Sequence, residues 1–339
     1  MCFESQLKLP ASIERLPLFA KLYKGAFRSG CERNGPIRRF INRVLYYGYE
    51  FLNVPIGQGR MNLNVRGENK TIYFDACNRQ FNALYFEKYA QGYEPEVTAV
   101  ITQMMPADGV FYDVGSNWGF FSILLASRTE FTGRIHAFEP WPSSFRDLVQ
   151  ITDQAELQDM IQCHRIAVGA SRKEVVMQSG RHSGLSQVVD ARTGVRVEQR
   201  TLDELELEKP DLIKIDAEGA ELEIIRGSAE TLRNKRPMLV FEHACDHDNA
   251  NGLRVLQLLE DFQYRLYAPM IEFSQREQAD AYVSFAHGPV IPGYSPSALK
   301  LHPISSYSRH ALPPYLNLFA CHRSQEDRLR EHIVELAAA

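Results

Sequence analysis

Three acidic residues stand at the ends of short apolar segments that the sequence predicts to be β-strands. Asp113 is the second-last residue of VFYDV, Glu139 ends a strand that Pro140 stops (RIHAFEP), and Asp216 ends DLIKID. Open α/β sheets bind ligands at the carboxyl ends of their strands, near the point where the strand order reverses. We therefore expect these three carboxylates to surround one ligand.

A glycine-bearing turn, DVGSNWG at residues 113–119, joins the first of these strands to a helix that begins FFSILLAS. A dinucleotide fingerprint requires G-x-G-x-x-G, and this turn offers only Gly115 and Gly119. Asp113 would also repel a pyrophosphate, so an NAD-dependent oxidoreductase is disfavoured. The acid instead indicates a ligand that carries positive charge.

S-Adenosylmethionine meets this requirement, because it has an ammonium, a sulfonium and a ribose diol but no phosphate. Asp113 is expected near the ammonium, and the helix N-terminus near the methionine carboxylate. Glu139 is expected to accept hydrogen bonds from both ribose hydroxyls. Ser116 and Asn117 could instead be simple turn formers, and Trp118 could pack beneath the helix. The predicted cofactor-binding residues are Asp113, Gly115, Ser116, Asn117, Trp118, Gly119, Glu139 and Pro140.

The same segments resemble the FkbM-type methyltransferase family. The resemblance lies in FYDVGSNWGFFSILLA, IHAFEPWPSSFRDL, RTLDEL and DLIKIDAEGAELEIIRG followed by PMLVFEH, in the family's order and spacing over residues 94–245. It implies a class I methyltransferase fold, a Rossmann-like α/β sheet of seven strands with the last strand antiparallel. It also implies S-adenosylmethionine as methyl donor and a hydroxyl of a sugar or natural product as acceptor.

Transfer to a hydroxyl benefits from a general base. His243, at the end of PMLVFEH, is the leading candidate, although a core histidine bonded to backbone is an equal alternative. Asp216 could orient that histidine, contact the donor or bind a metal, and Glu218 begins the next helix. A Mg²⁺ ion held by Asp216 with Glu218 or His243 is a further hypothesis, with Asp216 the first choice of ligand.

Strands that alternate with helices from residue 110 onward predict a parallel sheet covered by helices on both faces. Residues 94–270 and 315–339 are assigned to the methyltransferase core. Residues 1–93 are predicted to be a helical extension or lid, and the proline-rich residues 271–314 a long loop inserted on the acceptor side. A closing helix is expected from a capping box at Ser324.

Composition excludes several classes of protein. The net charge of −4 gives no sign of nucleic-acid binding, but residues 1–93 hold 14 Lys and Arg against 7 Asp and Glu. This basic segment suits a solvated helix face, a peripheral membrane contact or a second subunit. The six cysteines have no metal-binding spacing, and neither a signal peptide nor a spanning apolar run is evident. A cytoplasmic protein is expected.

Two other functions remain open at this point. An N-methyltransferase acting on a small metabolite could use the same cofactor site. A binding module that kept the fold without catalysis is the alternative from another class, although the intact acids at the strand ends argue against loss of the donor site. A nucleic-acid methyltransferase is a weak hypothesis, because the chain lacks a broad basic surface and an Asn/Asp-Pro-Pro-aromatic motif.

Overall fold

The computed structural model describes residues 3–18, 20–22, 36–51, 57–76, 78–86, 89–90, 92–178, 187–189, 194–244, 250–275, 281–284 and 294–334. The α-helices with defined bounds are α1 Phe3–Gln6, α2 Pro36–Phe51, α3 Pro95–Met104, α4 Phe120–Ala126, α5 Pro142–Gln154, α6 Glu221–Arg226, α7 Ala229–Asn234 and α8 Ala250–Asp261. Shorter 3₁₀ helices are Arg79–Leu84, Arg309–Ala311 and Arg323–Leu329.

The β-strands come in three groups. The N-terminal strands are β1 Ala11–Arg15, β2 Gln58–Val65 and β3 Glu68–Asp75. A small four-stranded sheet contains β7 Ala167–Val168, β8 Lys173–Gln178, β9 Gln187–Val189 and β10 Val195–Arg200. The central sheet contains β4 Val110–Val114, β5 Arg134–Phe138, β6 Ile161–His164, β11 Leu212–Ile215, β12 Met238–Ala244, β13 Tyr264–Gln275, β14 Ala281–Ser284, β15 Tyr294–Ile304 and β16 Tyr315–His322.

The central sheet has the order β14-β13-β16-β12-β11-β4-β5-β6, and β15 pairs with β13. Strands β6, β5, β4, β11 and β12 are mutually parallel. β16 is antiparallel to both of its neighbours, β12 and β13. The seven strands from β6 to β13 therefore have the class I methyltransferase order, and the predicted sheet is confirmed. The strand order reverses between β4 and β11, which places the topological switch point there.

Apolar residues bury both faces of this sheet. On β11, Leu212 belongs to the core that includes α3, α4 and α5, while Ile213 and Ile215 belong to the core that includes α6 and α8. Parallel strands buried on both sides are apolar throughout. Lys214 interrupts that pattern on the first face, although it is only 4% exposed. A buried lysine requires compensation by charge, and the site described below provides it.

The N-terminal segment differs from the predicted helical extension. The prediction is correct for α2, but β1, β2 and β3 form an antiparallel sheet. Met61, Leu63 and Val65 alternate with more exposed neighbours along β2, which is the period-two pattern of a half-buried strand. The sequence-based interpretation missed this alternation. Residues 23–35 and 52–56 of the predicted extension lie outside the described residues.

The predicted late insertion is partly sheet. β13 continues through the expected boundary at residues 270 and 271, and it pairs with β15 over Leu266–Gln275. Pro296 and Pro303 lie within β15, which pairs with β13 on one side and, on the other, has a bridge from Leu301 to Ile333; proline is tolerated where its missing N–H faces away from the paired strand. The prediction of a long loop is therefore wrong for residues 294–304. Residues 276–280 and 285–293 of that segment lie outside the described part.

Two helix predictions change in detail. The closing segment forms a 3₁₀ helix at Arg323–Leu329, and its cap is His322, whose side chain accepts a hydrogen bond from the Ser324 backbone N–H. The helical spacing of Leu222, Ile225, Ala229 and Leu232 predicts one helix over residues 219–233, but the structure splits it into α6 and α7. The chain is crowded at the break, because a Cβ on Gly227 would lie 2.0 Å from the Gly169 carbonyl oxygen. No helix in the described ranges is both long and apolar enough to cross a bilayer.

Candidate active site

A cavity of about 350 Å³ opens at the carboxyl ends of β4, β5, β11 and β12, beside the switch point. Its size is within the range of small-molecule sites. One end is lined mainly by apolar side chains and the other by carboxylates. The residues lining the apolar end include Phe138, Pro140, Ile166, Val168 and Met177; those lining the other end include Glu94, Lys214, Asp216, Glu218 and Glu242.

Residues 115–118 of the glycine turn form part of the cavity wall. Gly115 has φ of 72°, and a Cβ there would lie 1.7 Å from the Asp216 carbonyl oxygen, so only glycine fits. The backbone N–H groups of Gly115 and Ser116 both donate to the Phe138 carbonyl, which ties the turn to the end of β5. Gly115, Ser116, Asn117 and Trp118 line the cavity, and their contact with a cofactor stays a prediction.

Glu139 is held rigidly at the end of β5. Its Oε2 accepts the backbone N–H of Asn117 at 2.8 Å, and its Oε1 accepts that of Trp141 at 2.7 Å. Each carboxylate oxygen retains acceptor capacity beyond these bonds. Burial raises the pKa of Glu139 to about 7, although the two amide bonds oppose the shift. The carboxylate is thus positioned to accept two neighbouring hydroxyls of a ligand.

Two polar atoms beside Glu139 indicate that the cavity suits a polar ligand. Ser116 Oγ and Asn117 Oδ1 are buried and have no hydrogen-bond partner among the described residues, and both residues line the cavity. Buried polar atoms are rarely left without a partner in folded proteins. Together with the diol-accepting geometry of Glu139, they fit the adenosine and methionine groups of S-adenosylmethionine.

Carboxylates dominate the opposite end of the cavity. Asp216, Glu218 and Glu242 each offer an oxygen, and these atoms lie within 4.8 Å of one another. Burial and the neighbouring acids raise the pKa of Glu218 to about 8 and that of Glu242 to about 7. Burial, together with Asp216, also raises the pKa of Glu94 well above its ordinary value. Among ligands of similar size, one that carries positive charge should therefore bind most tightly beside these carboxylates.

Lys214 is the only lysine or arginine among the described residues that line this cavity. Its Nζ donates to the Gly115 carbonyl at 3.0 Å and to Asp216 Oδ2 at 3.2 Å, and it lies 3.6 Å from Asp113 Oδ1. Burial would lower the pKa of Lys214, but the carboxylates of Asp216 and Asp113 raise it above its ordinary value. The lysine therefore stays charged and holds the glycine turn against β11.

Three predicted site residues lie outside the cavity lining. Asp113 is fully buried and accepts a hydrogen bond from Ser122 Oγ, so its side chain supports Lys214 and α4 instead of contacting a ligand. Gly119, with φ of 89°, allows α4 to approach Leu148. The prediction that these two residues contact the cofactor is not supported by their positions.

His243 is the third, and its position does not support a role as general base. Its Nε2 lies 2.8 Å from the Gly252 carbonyl, and its Nδ1 accepts from Arg309 Nε at 2.9 Å. Burial lowers its pKa to about 4. Consecutive strand residues point to opposite faces of a sheet, so Glu242 faces the cavity where His243 cannot. The core-histidine alternative describes it better.

The site also contains residues that the sequence-based prediction missed. They are Lys214, two positions before the predicted Asp216, and Glu242, one position before the predicted His243. Glu242 is the register partner of Asn317 on β16, which also lines the cavity. Trp118 lines the cavity edge, but its ring mainly packs on Phe81, with ring centroids 4.8 Å apart. Side-chain alternation groups Lys214 with Asp216 on one face, but it does not say which face meets the cavity.

Three of the seven described non-glycine residues with positive φ lie at this site. Glu94, Asn117 and Glu218 are non-glycine residues with φ between 42° and 51°, and all three line the cavity. The left-handed conformation is unfavourable for such residues and recurs at functional sites, where the surrounding structure maintains it. The strained positions of the two acids and the amide support the assignment of the cavity as the functional site.

Comparison with known proteins agrees with this site. Residues 113–266 match the family model described as Methyltransferase FkbM domain, a range that begins at the glycine turn and includes β11 and β12. Over this range the chain is similar to the FkbM methyltransferase family. The hexuronic acid methyltransferase AglP of Haloferax volcanii is 26% identical over 161 residues, which cover 44% of this chain and 63% of that protein. This chain thus spans less than two thirds of the relative's length.

Solved structures give looser matches to this chain. The methyltransferase FkbM of Methylobacillus flagellatus has a TM-score of 0.40 at 16% identity, covering 62% of this chain and 51% of that one. The precorrin-6y C5,15-methyltransferase of Geobacter metallireducens has a TM-score of 0.37 at 14% identity, covering 70% and 92%. Because both TM-scores are low, the fold is defined by the strand order of this chain and not by either superposition.

The predicted Mg²⁺ ion stays a prediction. Asp216 has two further carboxylates beside it, Glu218 and Glu242, so one of its two proposed partners is in place. His243, the other proposed partner, has both ring nitrogens engaged elsewhere. Clustered acids also bind organic cations, so the cluster alone does not distinguish a metal ion from a sulfonium.

Proposed function

We propose that this chain is an S-adenosylmethionine-dependent methyltransferase that acts on a hydroxyl of a carbohydrate or glycosylated compound. The observation that carries the proposal is the cavity itself. It combines a rigid diol-accepting carboxylate, Glu139, with a wall of carboxylates at its other end. A ligand with a ribose at one end and a positive charge at the other is complementary to both.

The apolar end suits the adenosine part of the cofactor. Phe138, Ile166 and Val168 offer apolar surface to a base, and Glu139 would accept the ribose hydroxyls. Ser116 Oγ and Asn117 Oδ1 would gain the partners that they lack among the described residues. When bound, S-adenosylmethionine supplies an electrophilic methyl group on a positively charged sulfur.

The carboxylate end suits both that charge and the acceptor. Asp216, Glu218 and Glu242 would offset the sulfonium and ammonium charges, which reduces the repulsion among the acids themselves. Glu242 is our candidate for the general base that takes the proton of the acceptor hydroxyl. A base is most effective when its pKa lies near the working pH, and that of Glu242 is about 7.

A carbohydrate acceptor is supported by the relative named as a hexuronic acid methyltransferase. The aromatic residues Tyr89, Tyr93 and Phe120 at the cavity wall add rings of the kind that pack against sugar faces. A second candidate, N-methylation of a small amine, is favoured by the acidic wall, because protonated amines are attracted to carboxylates. The two candidates differ in which acceptors are methylated.

The test separates cofactor binding from methyl transfer. The purified chain is titrated with S-adenosylmethionine and with NADH, and transfer of labelled methyl is then measured over panels of sugars and amines. At saturating cofactor, Glu242→Gln should lose at least about 100-fold in turnover, as expected for a lost general base. Glu223→Gln is the matched control, because Glu223 is an exposed acid of α6 that pairs with Arg226.

The proposal fails if the chain binds NADH but not S-adenosylmethionine, or if no acceptor of either panel is methylated. Equal turnover of Glu242→Gln and the wild type would remove Glu242 as the base and return Glu218 as the alternative. Repeating the assay after treatment with a chelator tests the metal hypothesis, which predicts loss of turnover that added Mg²⁺ restores.

A further inference from the structure

Helix α2 has an apolar face that is exposed among the residues that the structure describes. Ile37, Phe40, Ile41, Val44 and Leu45 are between 47% and 76% exposed, and we call these five residues the α2 apolar face. In contrast, α3 buries Val97, Val100 and other apolar residues in the core. Large exposed apolar patches on soluble proteins mark sites that contact another surface.

The spacing of these residues makes the face continuous. They recur at intervals of three and four along a 16-residue helix, which places them on one side. The helix is roughly 24 Å long at 1.5 Å per residue. This is too short, and its sequence is too rich in arginine, to span a bilayer. The helix is instead suited to lie along an interface with its apolar side inserted.

Positive charge is concentrated in the part of the sequence that leads into this helix and forms its first half. Residues 21–43 contain seven Lys and Arg and a single acid, Glu32, although the whole chain has a net charge of −4. Arg43 lies about 100° around the helix from its neighbour Val44, outside the α2 apolar face, and is exposed to solvent. A basic polar side combined with an apolar side containing isoleucine, leucine and phenylalanine is typical of helices that bind anionic lipid surfaces.

We propose that α2 docks this protein on an anionic lipid bilayer, with the α2 apolar face inserted at the level of the headgroups. A second copy of the chain is a poorer occupant. Stable dimers use roughly 20–30 residues per side, whereas this face offers five, and pairing two such helices would bring their arginines together. The proposal does not rest on the proposed function, since no described side chain of α2 lines the cavity.

Sedimentation of the full chain with vesicles tests the proposal. Vesicles of phosphatidylcholine alone are compared with vesicles that also contain phosphatidylglycerol. The wild type should bind the anionic vesicles and release them as salt is raised. Ile41→Asp places a charge in the α2 apolar face, and Asn42→Asp adds the same charge at the neighbouring position outside that face.

The two variants should separate insertion from charge. Asn42→Asp should weaken binding about fivefold, the effect of one charge near an anionic surface. Ile41→Asp should weaken it at least about tenfold more, because an inserted isoleucine is also lost. Both variants should keep the thermal midpoint and the S-adenosylmethionine affinity of the wild type, which shows that the core and the cavity are intact.

Three results would overturn the proposal. The first is a wild type that does not sediment with anionic vesicles. The second is equal binding of these vesicles by Ile41→Asp and Asn42→Asp. Sedimentation velocity could also reveal a dimer that Ile41→Asp dissociates while vesicles are not bound, which would identify a second copy as the occupant. Loss of vesicle binding with normal methyl transfer would leave the proposed function in place, so the two proposals can fail separately.

Discussion

At the scale of single residues, the site is a set of carboxylates kept close together in a partly buried cavity. The pKa values of Glu139 and Glu242 are raised to about 7 and that of Glu218 to about 8, in each case chiefly by burial. Lys214 compensates for part of this charge. Because the acids outnumber the cations, the site gains most when a positively charged ligand enters, and its affinity should depend on pH.

The affinity for S-adenosylmethionine should rise about tenfold between pH 6 and pH 8, because an acid with a pKa of about 7 changes from mostly protonated to mostly ionised over that range. The ionised form of Glu139 accepts two hydroxyls, whereas the protonated form must donate one of its bonds. Titration calorimetry at several pH values measures the slope. Glu139→Gln should bind more weakly and with a shallower slope, and identical slopes for both chains would contradict this role.

At the scale of elements, the turn between β4 and α4 is determined by close backbone approach. Gly115 lies against the carbonyl of Asp216, the residue that follows β11, so the turn and the acid are positioned by one contact between neighbouring strands. The Lys214 side chain bonds to both partners of that contact. The glycine turn of the sequence is therefore a packing requirement between β4 and β11 as much as a ligand-binding device.

Gly115→Ala should destabilise the chain by about 3 kcal/mol or more, because it combines a left-handed φ with a clash against backbone. Gly67→Ala is the matched control: its φ is 94°, but a Cβ there meets nothing within 4 Å. That variant should cost only about 1–2 kcal/mol. Urea denaturation measures both. Equal losses would mean that backbone conformation alone, and not the contact with Asp216, explains the glycine.

At the scale of the whole molecule, the stability of the ligand-free protein should depend on pH because acids are gathered in one cavity. An acid whose pKa is higher in the folded than in the unfolded chain binds more protons when folded. Stability therefore falls as pH rises toward the folded pKa and then levels off. His243 and His164, whose pKa values are lowered to about 4, are neutral in both states above their ordinary pKa of 6.5.

The thermal midpoint of the ligand-free chain should therefore fall between pH 6.5 and 8.5 and level off near the upper limit, following Glu218 with its pKa of about 8. Glu218→Gln should reduce the fall, and S-adenosylmethionine should stabilise the wild type more at pH 8.5 than at pH 6.5. Scanning calorimetry across this range provides the measurement. A midpoint that rises with pH in the wild type would show that the cavity acids are compensated in some other way.

The sequence by itself determined the order of strands and helices, the glycine turn and the carboxylate of Glu139. Each of these depends on local features: apolar runs, a turn that requires glycine, and an acid at a strand end. The methyltransferase sheet followed from their order together with the family resemblance. Six of the eight predicted cofactor residues consequently line the cavity: Gly115, Ser116, Asn117, Trp118, Glu139 and Pro140.

Only the tertiary structure decided which side of each strand faces the ligand. A parallel strand buried on both sides is apolar throughout, so its sequence does not reveal which residues point to the cavity. Asp113 and His243 therefore looked like ligand-facing residues, whereas Lys214 and Glu242 occupy the cavity wall. The pairing of β15 with β13 depends on residues far apart in the chain. Such contacts exist only once the chain has folded.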